Sequence, residues 1–361
     1  MKIGLVGLPN SGKTTIFNLL THQTLPTEAY FTQSTETHIG VAKFHDERLD
    51  ILHKENPKVE LKYAEIIFVD TAGFMAGATG KTGHTDAQFF VALRDVEAIA
   101  YVVCAFSNPE VLQIHDTIDP VRDLRKLEVE MIFNDLDMTE KRIQKIDKEL
   151  QSQREKHTPE KEVLLKCKKC LEQEKALRSL SFSQEEHKLL SGFRFLSQKP
   201  AMVLLNIDEK DIGKPVSEDL LKYCKDNSFE LLALSGKIEE EISEIPESEQ
   251  AEFLSELGIA EPALPKFIHS AYHLLDLISF FTIGDKEIKA WSIKHGTSAW
   301  EAAGKVHTDI QRGFIRAEVV HFDDFQREGS MKAAKEKHFM HLEGKDYIVK
   351  DGDIIFFRFN I

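Results

Sequence analysis

Apolar residues in this chain gather into short continuous runs, most of them closed by a polar residue. Between the runs lie stretches whose apolar positions recur at helical spacing. Residues 2–8 (Lys-Ile-Gly-Leu-Val-Gly-Leu) form the first run and lead into a glycine-rich turn and a helix over about Thr14–Thr21. Ala64–Asp70, Ala98–Ala105, Ala201–Asn206 and Leu231–Ser235 repeat the pattern. Runs that are apolar on both faces and alternate with helices predict a parallel sheet covered by helices. Ligands of such sheets sit at the carboxyl ends of the strands. The polar residues that end the runs are therefore where chemistry is expected.

Between the runs at Ala98 and Ala201 the texture is different. Ile132, Leu136, Thr139, Ile143, Ile146 and Leu150 follow one another in steps of four and three, with mostly charged residues between. A second series holds Leu164, Cys167, Leu171 and Glu174, and Pro159 is suited to a helix start. This predicts two antiparallel helices, a short coiled-coil hairpin inserted as an arm over residues 119–190. Residues 246–280 carry helical periodicity. From Phe280 onward short β-rich runs (Glu287–Ile293, Ile315–Phe322, Asp346–Val349, Ile354–Phe359) alternate with glycine-containing turns. The expected fold class is α/β: a nucleotide-binding domain with a parallel sheet from residues 1–118 and 191–279, the helical arm, and a C-terminal α+β domain over 280–361.

Composition narrows the setting. The 361 residues are 42% hydrophobic and 29% charged, as in a folded chain, and four cysteines are too few for a disulfide scaffold. The longest apolar runs, such as Ala98–Phe106, fall far short of the roughly 20 residues of a membrane helix. The strand expected from Lys2 leaves no room for a signal peptide. The expected location is the cytoplasm, with no membrane partner. A net charge of −14 argues against sequence-blind binding to nucleic acid, and DNA is not expected as a partner. The acid excess lies upstream, however. Residues 280–361 carry 13 Lys and Arg against 13 Asp and Glu, so this neutral segment remains open to RNA.

Gly7-Leu8-Pro9-Asn10-Ser11-Gly12-Lys13-Thr14 fits G-x-x-x-x-G-K-[ST], after a strand and before a helix. Gly7 and Gly12 let the backbone wrap a polyphosphate, and the helix start adds partial positive charge. Lys13 is expected to reach the β- and γ-phosphates and Thr14 to ligate Mg²⁺. Asp70-Thr71-Ala72-Gly73 ends a second strand. Asp70 is the expected partner of the Mg²⁺ shell, and Gly73 offers a backbone N–H to the γ-phosphate. Ras-like hydrolases follow this glycine with a Gln that orients the attacking water. Here it is Phe74, so backbone groups, the Gly77–His84 loop or a partner must place the water, and turnover is expected to be slow.

Guanine-specific pockets of this class use Asn-Lys-x-Asp, whose Asp accepts from N1–H and N2–H₂. The corresponding strand end is Asn206-Ile207-Asp208-Glu209. Glu209 is one methylene longer than Asp, and Ile207 replaces the Lys. The guanine clamp is not preserved, whereas adenine lacks the donors it reads, so ATP is the expected nucleotide and GTP stays an alternative. Ser235-Gly236-Lys237 ends the next strand, where loop backbone touches the base. Cys167 and Cys170 have no second cysteine pair or histidines at metal-ligand spacing, and no metal is expected there.

The order of phosphate loop, D-x-x-G, helical insertion, Asn-x-x-Glu, Ser-x-Lys and β-rich C-terminus resembles the YchF subfamily of Obg-like P-loop NTPases over essentially the whole chain. Glu287–Trp291, Lys294–Thr297, His307-Thr308-Asp309, Arg312-Gly313-Phe314-Ile315 and Gly344–Ile361 are similar to that family's TGS domain. The resemblance implies binding and hydrolysis of ATP in preference to GTP and a hydrophobic residue at the position of Phe74. It also implies a cytoplasmic location and association with the ribosome, with the TGS domain contacting RNA or a regulatory ligand. By position, Asn10, Ser11, Gly12, Lys13, Thr14 and Thr15 hold the phosphates, Thr14 binds Mg²⁺, and Asn206, Ile207 and Glu209 contact adenine, with Ser235 beside them. The first switch departs from the family pattern. It reads Ser34-Thr35-Glu36-Thr37-His38-Ile39-Gly40, so Ser34 stands where the family has its Mg²⁺-binding Thr, with Thr35 and Thr32 as alternatives. The Gly83–Ala87 stretch departs as well. Three other readings stay open: a GTP-preferring GTPase, a nucleotide-sensing ribosome tether with negligible hydrolysis, and an RNA-binding module.

Overall fold

The structure, a computed structural model, describes residues 1–25, 37–71, 83–107, 117–149, 151–259 and 261–360, with 83–87, 151–156 and 247 described by backbone alone. It divides into two compact units: Met1–Val41 with Ile67–Phe267, and Ala42–Ile66 with Ile268–Ile361.

In chain order the strands are β1 (Lys2–Val6), β2 (His38–Phe44), β3 (Glu60–Lys62), β4 (Ala64–Asp70), β5 (Ala98–Ala105), β6 (Ala201–Ile207), β7 (Glu230–Leu234), β8 (Leu277–Ile283), β9 (Glu287–Lys294), β10 (Phe314–His321), β11 (His341–Glu343) and β12 (Asp353–Phe359). One six-stranded sheet has the order β2-β4-β1-β5-β6-β7. β1 pairs in parallel with β4 and β5, β5 with β6, and β6 with β7. The continuous apolar runs are explained by burial on both faces. Tyr101, Val103, Val203 and Leu205, for example, pack with Leu124, Leu127 and Met131 of the helix Pro120–Lys148. This parallel order brings the ends of β1, β4 and β6 to one edge of the sheet.

The helices Pro120–Lys148 and Gln151–Leu171 form a hairpin, but the arm does not depart at residue 119: Leu124, Leu127 and Met131 pack on the parallel sheet, and the hairpin's own core begins at Ile132. Asp119 caps the first helix by accepting from Arg122 N at 3.0 Å, and Pro120 opens it. Ile132, Ile146, Leu164, Cys167 and Leu171 form its core, as their spacing predicts. Pro159 does not start the second helix; it lies inside it. Side chains on either side of the proline meet in one cluster. Arg142 donates to Glu160 at 2.6 and 2.7 Å, and the His157 Nδ1 lies 2.9 Å from the same carboxylate. Cys167 is fully buried, and burial pushes its thiol up to about 12. The hairpin is fastened at its root by Asp135, which accepts from Leu196 N at 3.0 Å, Ser197 N at 2.7 Å and Ser197 Oγ at 2.7 Å.

The second unit is a mixed six-stranded sheet, order β11-β10-β12-β8-β9-β3, with helices packed on it. Ala299, Ala302 and Ala303 of the helix Ala299–Val306 pack among Phe280, Ile293, Val319 and Ile355. Ser298 and Glu301 close a capping box at that helix's start. Residues 42–66 belong to this unit. β3 pairs in parallel with β9, and Arg48 donates to Asp351 at 2.7 Å while stacking over Phe281 at 5.3 Å. β8 already begins at Leu277, so Phe280 lies within a strand rather than at a domain edge. The strand expected at Asp346–Val349 is reduced to a single bridge between Ile348 and Ser298. The segment packs against the alanine helix, where Ala299 N and Trp300 N donate to Tyr347 O and Lys345 O, and does not join a sheet edge.

Candidate nucleotide-binding site

The turn between β1 and the helix Lys13–Thr21 is built by two close approaches. Gly7 lies against β5, where an added Cβ would come within 2.7 Å of Val102 O. Gly12 has φ +86°, and a Cβ there would lie 2.1 Å from Asn206 Nδ2. Only glycine satisfies both the left-handed backbone and the contact. Asn10 shares the left-handed region at φ 61°, which Asn tolerates better than most residues. The helix that follows has no side-chain cap and no acidic residue in its first turn. Its N–H groups are those a helix leaves unsatisfied at its start, a setting that favours an anion. Ser11 Oγ is buried in the same turn without a hydrogen-bond partner among the described residues.

Asn206 ties this turn to the far strands. From the end of β6 its Nδ2 donates to Ser11 O at 3.1 Å, and its Oδ1 accepts from Gly236 N at 3.0 Å. Thr15 half-faces the same place: a Cβ on Gly236 would lie 3.6 Å from Thr15 Cγ2. Ser235 is buried at the start of the helix Gly236–Glu244.

Lys13 and Asp70 are both buried, and their ammonium and carboxylate are in contact; Lys13 Nζ also donates to Thr71 O. Thr14 Oγ1 donates to Asp70 Oδ2 at 3.3 Å. Thr71 Oγ1 donates to Leu5 O at 2.8 Å, which locks the end of β4 to β1. A hydroxyl and a carboxylate converging beside the turn form a set of hard oxygen donors that suits Mg²⁺, as does the orphan Ser11 hydroxyl for a phosphate oxygen.

At the base end the expected residues separate. Asn206 turns inward to the phosphate turn. Ile207 is half-buried and packs on the sheet core. Glu209 is exposed and meets Lys237 at 3.1 Å, a contact the strand-end motif alone did not reveal. Gly73, Phe74, Ser34, Thr32 and Thr35 lie outside the described residues, as do residues 77–82. Gly83 opens the helix Gly83–Arg94, and the side chain of His84 is likewise not described. Among the described residues no group of three or more His, Cys, Asp or Glu is arranged to hold a metal, and no helix is long and apolar enough to cross a membrane.

Known proteins resemble this chain in sequence and in fold. Residues 2–169 match the profile of the family described as 50S ribosome-binding GTPase. Residues 277–360 match the YchF-GTPase_C family, described as a protein of unknown function (DUF933). The Ribosome-binding ATPase YchF of Bacillus subtilis (strain 168) is 38% identical over 364 residues, spanning 99% of each chain. The protein of that name from Haemophilus influenzae is 36% identical over 361 residues, covering 100% of this chain and 99% of its own. The structure of the Schizosaccharomyces pombe YchF GTPase superposes with a TM-score of 0.84 at 28% identity, over 99% of this chain and 97% of that one. A GTP binding protein from Pyrococcus horikoshii OT3 shares the fold at TM-score 0.59 and 17% identity, over the full length of both chains.

Proposed function

The chain belongs to the YchF family of P-loop NTPases, and from that premise we propose that it binds ATP with Mg²⁺, hydrolyses it slowly and acts as a nucleotide-dependent switch on the ribosome in the cytoplasm. The observation that carries this reading is the turn at Gly12. Its backbone conformation, its clamp by Asn206 and its orphan Ser11 hydroxyl make a cradle for a polyphosphate. Lys13 supplies the positive charge for the β- and γ-phosphates, and the loop N–H groups from Asn10 to Thr15 supply the donors. Thr14 and Asp70, whose side chains meet beside the turn, would hold Mg²⁺, which would supply positive charge to the phosphate oxygens. Ser34 and Gly73 are assigned to the metal and the γ-phosphate by their place in the sequence. With Phe74 where a water-orienting Gln stands in Ras-like enzymes, intrinsic turnover is slow and a partner's contact is the natural trigger. The ribosome is assigned as that partner because the bacterial relatives are named for binding it, with RNA contact through the charge-neutral C-terminal segment.

The preference for ATP rests on Glu209, which is exposed and already paired, in place of a free Asp. The names of relatives divide between ATPase and GTPase, so the nucleotide is settled by titration. Calorimetric competition of ATP against GTP at millimolar Mg²⁺ is expected to show tighter binding of ATP. A clear preference for GTP assigns the chain as a GTPase, and binding of neither overturns the reading.

A further inference from the structure

β6 runs out into two carboxylates, and each is taken up by a lysine. Asp208 holds Lys210 at 3.2 Å. Glu209 holds Lys237, from the first turn of the helix Gly236–Glu244, at 3.1 Å, and the same ammonium lies 3.8 Å from Glu241 one turn further on. The Glu209–Lys237 contact joins residues 28 apart in sequence and links the ends of two strands. It is therefore not the local i,i+4 pairing common along charged helices. Guanine offers a carboxylate two adjacent donors, N1–H and N2–H₂, and reading both takes both oxygens of a free carboxylate. A carboxylate bound to an ammonium has one oxygen engaged and its charge neutralised. Adenine presents no such donor pair and loses nothing by this.

We infer that Lys237 is a specificity-determining residue of the base pocket: by holding Glu209 it withdraws that carboxylate from guanine and lowers affinity for GTP relative to ATP. The inference rests on the nucleotide-binding reading above and deepens it. Lys237 acts through Glu209, so it is a positioning residue. Hydrogen bonding to Glu209, reinforced by the charges of Glu209 and Glu241, holds the Lys237 ammonium above the usual lysine range, so the pair persists through neutral pH. Both side chains face solvent, at 69% and 47% exposure, so the effect is modest and sensitive to salt.

The test is calorimetric titration of ATP and of GTP, with Mg²⁺, into the full chain, Lys237→Met and Lys237→Arg. The ratio of the two dissociation constants is read, because both nucleotides carry the same triphosphate and its attraction to a lost lysine cancels. In Lys237→Met the preference for ATP over GTP is expected to shrink about three- to fivefold, the scale of an exposed ion pair, and Lys237→Arg is expected to retain it. Raising salt from about 0.05 M to about 0.5 M is expected to shrink the preference of the unmodified chain but not of Lys237→Met. An unchanged ratio in Lys237→Met, with ATP still bound, overturns the role of Lys237 and leaves the ATP reading standing. An unmodified chain that binds neither nucleotide overturns that reading, and this inference with it.

Discussion

Asn206 donates its side-chain amide to the main-chain oxygen of Ser11 at 3.1 Å, so a residue at the end of the fifth strand of the parallel sheet in chain order holds the turn that follows the first. Its other end accepts from Gly236 N, and the side chain is nearly fully buried. Removing it leaves Ser11 O and Gly236 N buried without this partner, at about 1–3 kcal/mol for each such group. Asn206→Ala is expected to weaken ATP binding by at least about tenfold and to lower the thermal midpoint. Asn206→Asp keeps the acceptor for Gly236 N but loses the donor to Ser11 O, and calorimetry is expected to show weakened binding there too.

Gly12 and Gly213 separate backbone strain from steric contact. Both have positive φ, +86° and +76°, but a Cβ on Gly213 meets nothing within 4 Å. Gly213→Ala is expected to carry only the left-handed penalty of about 1 kcal/mol and to bind ATP as before. Gly12→Ala drives a methyl into Asn206 and is expected to abolish binding. Equal affinities in the two variants would contradict the role assigned to the turn.

Lys13 and Asp70 form a buried pair, so losing one partner strands the other. Lys13→Met is expected to lose ATP hydrolysis and to be destabilised by about 3–5 kcal/mol in urea unfolding. Lys13→Met/Asp70→Asn, with both charges removed, is expected to recover much of that stability without recovering hydrolysis. Additive losses in the double variant would show that the pair is not energetically coupled.

Asp135 is expected to make stability depend on pH. Burial, only partly offset by three accepted hydrogen bonds, pushes its carboxyl up to about 6. Its folded pKa exceeds the unfolded value near 3.9, so between about pH 4 and pH 6 the folded state binds more protons than the unfolded one. Stability from this group is therefore present below about pH 4 and falls as pH rises through 6, by up to about 3 kcal/mol. In a urea series, Asp135→Asn is expected to show a less negative slope of stability against pH over that window. Identical slopes would remove Asp135 as the source.

The phosphate turn was legible because its glycines, lysine and threonine sit at fixed offsets along a few residues, and local backbone chemistry leaves little choice there. Strands β4 and β5 were read to the residue because burial on both faces makes the apolar run and the strand the same thing. What escaped were contacts between residues far apart in sequence. Nothing local about Arg48 announces Asp351, or about Glu209 announces Lys237. β3 is three residues long, two of them charged, too short to show a period, and its pairing is with the distant β9. Pro159 misled because the preference for proline at helix starts is local, and the helix in fact begins at Gln151, eight residues earlier.

The membership of residues 42–66 in the second unit sets an order of events during synthesis. Strand β3 leaves the translation machinery more than two hundred residues ahead of its partner β9, and Arg48 waits 303 residues for Asp351. A nascent chain therefore holds an early segment in reserve until its last residues are made. A fragment cut anywhere near residue 280 inherits the problem on both sides: the front piece keeps an orphan strand, and the rear piece lacks it.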